Sequence, residues 1–231
     1  MIIAIDGPSG AGKSTVAKAV ARALGFSCLD TGAMYRSIAW RALHDGVALD
    51  DARALGEIAR TCEIAFMHEP GDPSPRGVSI GGQDVTEAIR TAEVDRAVSK
   101  VSAVPAVRAA LVAQQQRIGR AGDYVVEGRD IGTAVFPEAP VKVFLTASAA
   151  ERAQRRVRQN EERGVGSTDY AEVLADIERR DEVDSSRAAS PLKPAEDAVH
   201  VDSTGRTVAD IIDAICDLAC AQGAARVAGR S

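Results

Sequence analysis

Gly7-Pro8-Ser9-Gly10-Ala11-Gly12-Lys13-Ser14 fits the spacing G-x-x-x-x-G-K-[ST], a pattern that can cradle a polyphosphate. Glycines let successive backbone N–H groups converge on the anion with no Cβ in the way. The N-terminus of the following helix adds about half a positive charge. Lys13 is spaced to reach the β- and γ-phosphates, and the Ser14 hydroxyl to meet Mg²⁺; Thr15 completes the run. A glycine turn that merely enters a helix is the bland alternative. An apolar strand before the loop and an amphipathic helix after it, both in register with the lysine, argue against it.

Arginine recurs where a second phosphate would need it. Asp30-Thr-Gly-Ala-Met-Tyr-Arg36 follows one apolar run, and Gly128-Arg129-Asp130 follows another. In an open parallel sheet, ligands bind beyond the carboxyl ends of the strands, so Arg36, Arg129 and Asp130 should converge beside the phosphate loop. Ordinary surface ion pairs are the competing reading. A third cluster is Glu151-Arg152-Ala-Gln-Arg155-Arg156-Val-Arg158, followed by Arg163. Arginines at i, i+3 and i+4 share a helix face and repel unless an anion meets them. The run is either a solvated face or a lid that closes over a triphosphate and supplies arginine fingers. A fourth group, Arg179-Arg180-Asp181 with Asp184-Ser-Ser-Arg187, should end the next helix.

No histidine lies near these motifs to act as a general base. A hydroxyl acceptor must lose a proton, whereas a phosphate monoester, with a second pKa of about 6, is already an anionic nucleophile at neutral pH. Charge neutralisation and alignment then suffice. Arginine-rich, histidine-poor chemistry therefore favours a nucleoside monophosphate acceptor over a sugar or shikimate. Other loop users are excluded by what is missing. A GTPase needs N-K-x-D, but the single asparagine, Asn160, is followed by Glu161. Neither Val141–Leu145 nor Tyr124–Val126 ends in the paired acids of a ring ATPase, and H-R-D and D-F-G are absent.

The elements that must position these residues alternate as in an α/β fold with a parallel sheet. Strands are expected at Ile2–Ile5, Phe26–Leu29, Tyr124–Val126, Val141–Leu145 and Ala198–Val201. Helices are expected at Ser14–Leu24, Gly32–Leu43, Pro105–Ile118, Ala149–Gln159, Tyr170–Arg180 and Val208–Ala221, with Gly25 and Thr207 as caps. Between about Asp45 and Arg90 the rhythm changes to a short helix, Ala52–Arg60, then Glu63–Met67, Gly77–Ile80 and Gln83–Thr86. Gly81-Gly82 reads as a hairpin turn. Asn160–Thr168 is irregular and could tip a mobile cover, and the last ten residues should fray.

Composition narrows the class. The 231 residues, 45% hydrophobic and 26% charged, suit one large domain or a core with an inserted lobe, and exclude intrinsic disorder. A net charge of −5 argues against a broad nucleic-acid or anionic-membrane footprint. Cys28, Cys62, Cys216 and Cys220 form no C-x-x-C pair, and His44, His68 and His200 no ligand pattern. Reduced core thiols in a cytoplasmic protein, with no structural metal, are expected. No apolar stretch is long enough to span a bilayer, and Met1–Ile5 runs into Asp6 and a glycine loop rather than a signal peptide.

The ordered set GPSGAGKST (Gly7–Thr15), LDTGAMYR (Leu29–Arg36), EGRDIGTAVFP (Glu127–Pro137), Val141–Leu145 and DSSRAASPL (Asp184–Leu192) resembles the bacterial cytidylate kinases, from about Ile3 to Ala221. The resemblance implies an adenylate-kinase-like P-loop kinase core of five parallel strands (1–31 and 91–221). It adds an inserted α+β monophosphate-binding lobe (32–90) and a short lid (150–168); the flexible tail (222–231) and the His68–Gly77 turn lie outside it. It implies ATP as donor with Mg²⁺, CMP and dCMP as acceptors, and a monomer with no nucleic-acid or membrane partner. By the same resemblance Arg36, Arg129 and Arg187 hold the CMP phosphate, Ser99, Arg108 and Asp130 read cytosine, and Arg180 and Asp184 hold the ribose. Thr31 stands where the family pattern has serine. Lid fingers come from among Arg152, Arg155, Arg156 and Arg158, with Arg155 and Arg156 in the candidate catalytic set; the role of Glu127 is open. Base reading has a physical rationale, since a carboxylate accepts from the cytosine N4–H₂ donor and repels the uracil oxygen. Rival readings are a UMP or AMP kinase and a non-catalytic nucleotide switch.

Overall fold

A computed structural model describes residues 1–69, 72–187 and 189–227. Five strands, β1 (Ile2–Asp6), β2 (Ser27–Asp30), β6 (Tyr124–Gly128), β7 (Val141–Thr146) and β8 (Val199–Asp202), form one parallel sheet in the order β2-β6-β1-β7-β8. Alternation along the central strands divides the core. Ala4 and Val126 face α2 (Thr31–His44), α4 (Ala92–Ala103) and α5 (Pro105–Gly119), whereas Ile3, Ile5 and Val125 face α1 (Lys13–Leu24) and α8 (Val208–Ala221). A sheet buried on both faces explains the near-continuous apolar runs of its strands.

Every strand of this sheet runs one or two residues beyond its apolar stretch, ending on Asp6, Asp30, Gly128, Thr146 or Asp202. The ladder holds these residues by backbone pairing, so their side chains are presented at a fixed edge. The crevice over the carboxyl ends, beside the central β1, is where the connections diverge to opposite sides of the sheet.

The insert holds α3 (Ala52–Thr61) and a second, antiparallel sheet of β3 (Ile64–Met67), β4 (Gly77–Ile80) and β5 (Gln83–Asp84). Gly81 and Gly82 have φ of 57° and 80°, which a type I′ hairpin turn requires. The last strand is shorter than the expected Gln83–Thr86, because Thr86 turns its hydroxyl back to accept from the Val78 N–H.

Three further features depart from expectation. Helix α4, with Thr91 as its N-cap, fills a stretch that was not read as helical. Helix α6 (Ala149–Arg163) continues to Gly164, whose left-handed φ of 63° ends it, so the irregular connection is shorter than Asn160–Thr168. Helix α7 (Tyr170–Ser186) is also longer, which puts Arg180 and Asp184 on one helix face and Arg187 at its C-cap. Val157, Val173, Leu174 and Ile177 seal α6 against α7 around Ala153.

Of the tail expected to fray, Arg226 forks to Asp213 and Asp217 at 2.8 Å each, and the Val227 N–H donates to the Ala23 carbonyl. Residues 228–231 of that tail, and Ala188 in the DSSRAASPL stretch, lie outside the described residues. All four cysteines are free thiols. Among the described residues no helix is long and apolar enough to cross a membrane.

Candidate active site

The phosphate loop passes flat against the end of β7. A Cβ on Gly7 would meet the Leu145 carbonyl oxygen at 2.0 Å, so no other residue fits there. Lys13 Nζ curls back to donate to the Pro8 carbonyl at 2.8 Å. Burial, then the Arg129 charge, push its pKa down to about 7, while Glu127 and Asp6 pull the other way. A polyanion beside this amine favours its charged form.

Ser14 Oγ donates to Glu127 Oε2 at 2.9 Å, and the other carboxylate oxygen, Oε1, is buried with no partner. Burial and the neighbouring Asp30 charge raise the Glu127 pKa to about 7. Asp30 and Glu127 are register partners on β2 and β6. A hydroxyl and two adjacent carboxylates at the mouth of a phosphate loop, one with an orphaned buried oxygen, are a donor set that fits Mg²⁺. Thr31, the first residue of α2, is buried. Its hydroxyl is committed to the Glu127 carbonyl at 2.8 Å and ties β2 to β6.

Guanidinium groups gather from four elements. Arg36 on α2 pairs with Asp95 on α4 and reaches the Ile89 carbonyl. Arg129, just past β6, donates through Nε to Asp184 Oδ2 at 2.8 Å, and Arg187 Nε donates to the Asp184 carbonyl at 3.2 Å. Arg180 Nε is buried with no partner; burial, then the charges of Arg129 and Arg36, lower its pKa to about 10. Arg156, lowered mainly by burial and also by Arg36, Arg163 and Arg129, completes the group. Partly buried cations in such numbers are under-neutralised by Asp95 and Asp184, and a phosphate dianion is the complement they lack.

Behind this group Arg108 and Asp130 form a buried ion pair. Arg108 Nη1 also reaches the Ser102 carbonyl at 3.4 Å, and its guanidinium lies 5.6 Å from the centre of the Tyr35 ring. Ser99 is half-buried one turn earlier on α4, its carbonyl accepting from Ser102 Oγ at 3.1 Å.

The lid arginines separate by environment. Arg152, 5% exposed, donates to the Ser9 and Ala147 carbonyls at 3.0 Å each and pairs with Asp181 at 2.7 Å. Arg155 commits Nε to Glu151 and its two terminal nitrogens to Ser203, all at 3.0 Å. Arg158 is turned along its own helix. Only Arg156 of these four meets the guanidinium cluster, with Nη2 at 3.4 Å from Ser9 Oγ. Two members of the run are met by carboxylates of the chain itself, Arg152 by Asp181 and Arg155 by Glu151.

A family model described as cytidylate kinase matches residues 3–221. The chain belongs to the cytidylate kinase family. It is 46% identical over 222 residues to the cytidylate kinase of Saccharophagus degradans, covering 96% of this chain and 98% of that one. It is 49% identical over 217 residues to a bifunctional pantoate ligase/cytidylate kinase of Synechocystis, covering 94% of this chain and 42% of the relative. A bifunctional relative of the same description from Prochlorococcus marinus is 51% identical over 217 residues, with 44% of its length covered. The chain thus spans less than half the length of these bifunctional relatives.

In this cytidylate kinase family member, Asp95, Ser203 and Asp6 escaped the sequence reading. Asp95 had a signal, because Thr91 followed by Val94, Ala97, Val98 and Val101 has a capped helical period. Ser203 and Asp6 had none, since their partners lie far along the chain.

Proposed function

We propose that the chain transfers the γ-phosphoryl group of ATP to CMP, and to dCMP, giving ADP and the corresponding diphosphate. The observation that carries this reading is the buried Arg108–Asp130 pair behind a cluster of guanidinium groups that includes Arg129, whose charge bears on Lys13.

Residues 7–15 hold the ATP phosphates by their backbone amides, and Lys13 moves from the Pro8 carbonyl to the β- and γ-oxygens. Ser14 and Glu127, with Asp30 adjacent, would hold Mg²⁺, which when bound neutralises charge on the phosphate oxygens. Arg36, Arg129 and Arg187 take the acceptor phosphate, Arg180 and Asp184 the ribose, and Ser99, Arg108 and Asp130 the cytosine edge. An oxygen of the acceptor phosphate attacks the γ-phosphorus; that bond forms as the bond to the bridging oxygen breaks and ADP leaves. The acceptor has no proton to lose, which agrees with the lack of a histidine near the motifs in the sequence. Asp130 accepts from cytosine N4–H₂, and Arg108, paired with it, holds the carboxylate in place.

Residues 32–90 form the monophosphate lobe and 150–168 the lid, with 1–31 and 91–221 as the core. Lobe and lid close over both nucleotides and exclude water, an alternative acceptor. Arg156 is the lid arginine favoured as the finger; Arg155 steadies the lid from Ser203. We place the chain in the cytoplasm as a monomer.

A panel of nucleoside monophosphates with ATP and Mg²⁺, scored by diphosphate formed, tests the reading. CMP should be turned over well ahead of UMP and AMP, and Lys13→Ala should abolish turnover while CMP still binds. Equal rates with UMP would remove the cytosine assignment, and ATP hydrolysis indifferent to any acceptor would remove the kinase.

A further inference from the structure

Asp6 is the last residue of β1 and the one before the phosphate loop, and its side chain is hydrogen-bonded to the turn that follows β6. Its Oδ1 accepts from the Ile131 N–H and its Oδ2 from the Gly132 N–H, both at 2.8 Å, and the residue is 4% exposed. Those two amides open the π-helical turn Ile131–Val135, in which the Phe136 N–H donates back to the Ile131 carbonyl. The first N–H groups of such a turn have no partner of their own, and buried without one they are costly. A carboxylate from another strand supplies both partners at once. The residues immediately before the turn are Arg129 and Asp130. Strand pairing adds a second constraint, because Asp6 is the register partner of Gly128. One residue therefore holds the Arg129-Asp130 segment from both sides, through the ladder before it and the side chain after it.

We infer that Asp6 is a positioning residue for phosphoryl transfer: it fixes Arg129 and Asp130, on the acceptor side, relative to the phosphate loop that begins at the next residue. The physical reason is alignment. Donor and acceptor phosphates repel each other and react only when held in line, and a misplacement of about 1 Å can cost about 10²-fold in rate. A loop and a turn built on separate strands would drift against each other. Asp6 joins them through a single side chain with two charge-assisted hydrogen bonds. The inference rests on the proposed transfer from ATP to CMP.

Steady-state kinetics of Asp6→Asn and Asp6→Ala, with ligand-induced melting shifts for ATP·Mg²⁺ alone and CMP alone, test it. In Asp6→Ala, kcat/KM for CMP should fall by about 10²-fold. Its ATP-induced melting shift should be kept and its CMP-induced shift reduced. Asp6→Asn is isosteric and retains one acceptor, so it should recover part of the loss; it carries the comparison if Asp6→Ala does not fold. Unchanged CMP kinetics in Asp6→Asn, or equal loss of ATP and CMP binding, would overturn the inference. A wild-type protein inactive on CMP would instead overturn the transfer reading.

Discussion

Arg129 Nε donates to Asp184 Oδ2 at 2.8 Å, joining the end of β6 to the far part of α7 across the crevice. Asp184 is buried, and its carboxyl is held below the ordinary range: burial opposes ionisation, but Arg129, Arg187 and Arg180 together outweigh it. The pair aims a cation that would otherwise be drawn to whichever carboxylate lay nearest. Asp184→Ala frees Arg129 and leaves three guanidinium groups without a counter-charge. We expect KM for CMP to rise by about tenfold or more with ATP affinity little changed, since the proposed reading puts the lost contacts on the acceptor side. Initial-rate kinetics with each substrate varied in turn measure this; a parallel loss for ATP would assign Asp184 to general folding instead.

Base preference is the second expectation. Arg108 and Asp130 are both buried, and neither can be removed without leaving the other unpaired. Asp130→Asn keeps the shape but offers uracil a donor where the carboxylate offers repulsion. The ratio of CMP to UMP turnover should then shrink by about tenfold to a hundredfold, the size of one well-formed polar base contact. Competition assays with both acceptors read the ratio directly. A ratio equal to wild type would take Asp130 out of base recognition.

Much of this arrangement was legible beforehand, and the reasons differ by element. The five core strands were visible because both faces of the sheet are buried and the apolar runs are unbroken. Their true ends were not, because hydrogen bonding continues through Asp6, Asp30 and Gly128 after the hydrophobic signal stops. Gly7, Lys13 and Ser14 announced themselves through local spacing that a phosphate loop imposes. The π-helical turn after Asp130 gave no such sign, since it is held by Asp6 from more than a hundred residues away. The run Arg152 to Arg158 looked uniform in sequence, yet Arg152 is buried under the phosphate loop and Arg158 lies along the surface of α6. Composition shows charge; only packing shows which charges are already answered.

That distinction yields opposite outcomes for two neighbouring arginines. Arg152→Ala leaves the Asp181 carboxylate and the Ser9 carbonyl without their partner, so a loss of about 3 kcal/mol in stability is expected. Arg156→Ala removes a cation disfavoured by burial and crowded by Arg36, Arg163 and Arg129. The variant should melt no lower than wild type while kcat falls by about 10³-fold, the low end for an arginine finger. Melting and kinetics on both variants decide it; a stable, inactive Arg152→Ala with a fully active Arg156→Ala would reverse the assignment.

Glu127 offers a metal-dependent readout. Its Oε1 has no partner, and its Oε2 accepts from Ser14. Glu127→Gln keeps the volume but halves the anionic oxygen available to a hard cation. The Mg²⁺ concentration for half-maximal turnover should rise by about 10–100-fold, with CMP affinity retained. Titrations at saturating nucleotide measure it, and an unshifted Mg²⁺ curve would leave Glu127 a structural acid.

The last expectation concerns pH and the fold itself. Burial pushes the Asp6 carboxyl up from 3.8 to about 6, even though the Gly132 and Ile131 amides pull it down. A carboxyl whose folded pKa lies above its unfolded value binds protons more readily in the native state. Its contribution is therefore full below about 3.8 and declines as pH rises towards about 6. A shift of that size corresponds to roughly 3 kcal/mol across the window. Asp6→Asn has no proton to exchange, so it lacks this decline. The stability of Asp6→Asn relative to wild type should consequently improve between about pH 4 and pH 7, whatever its starting deficit. Denaturant unfolding of both proteins across that range measures the difference, and a flat line would mean that burial does not govern the Asp6 carboxyl.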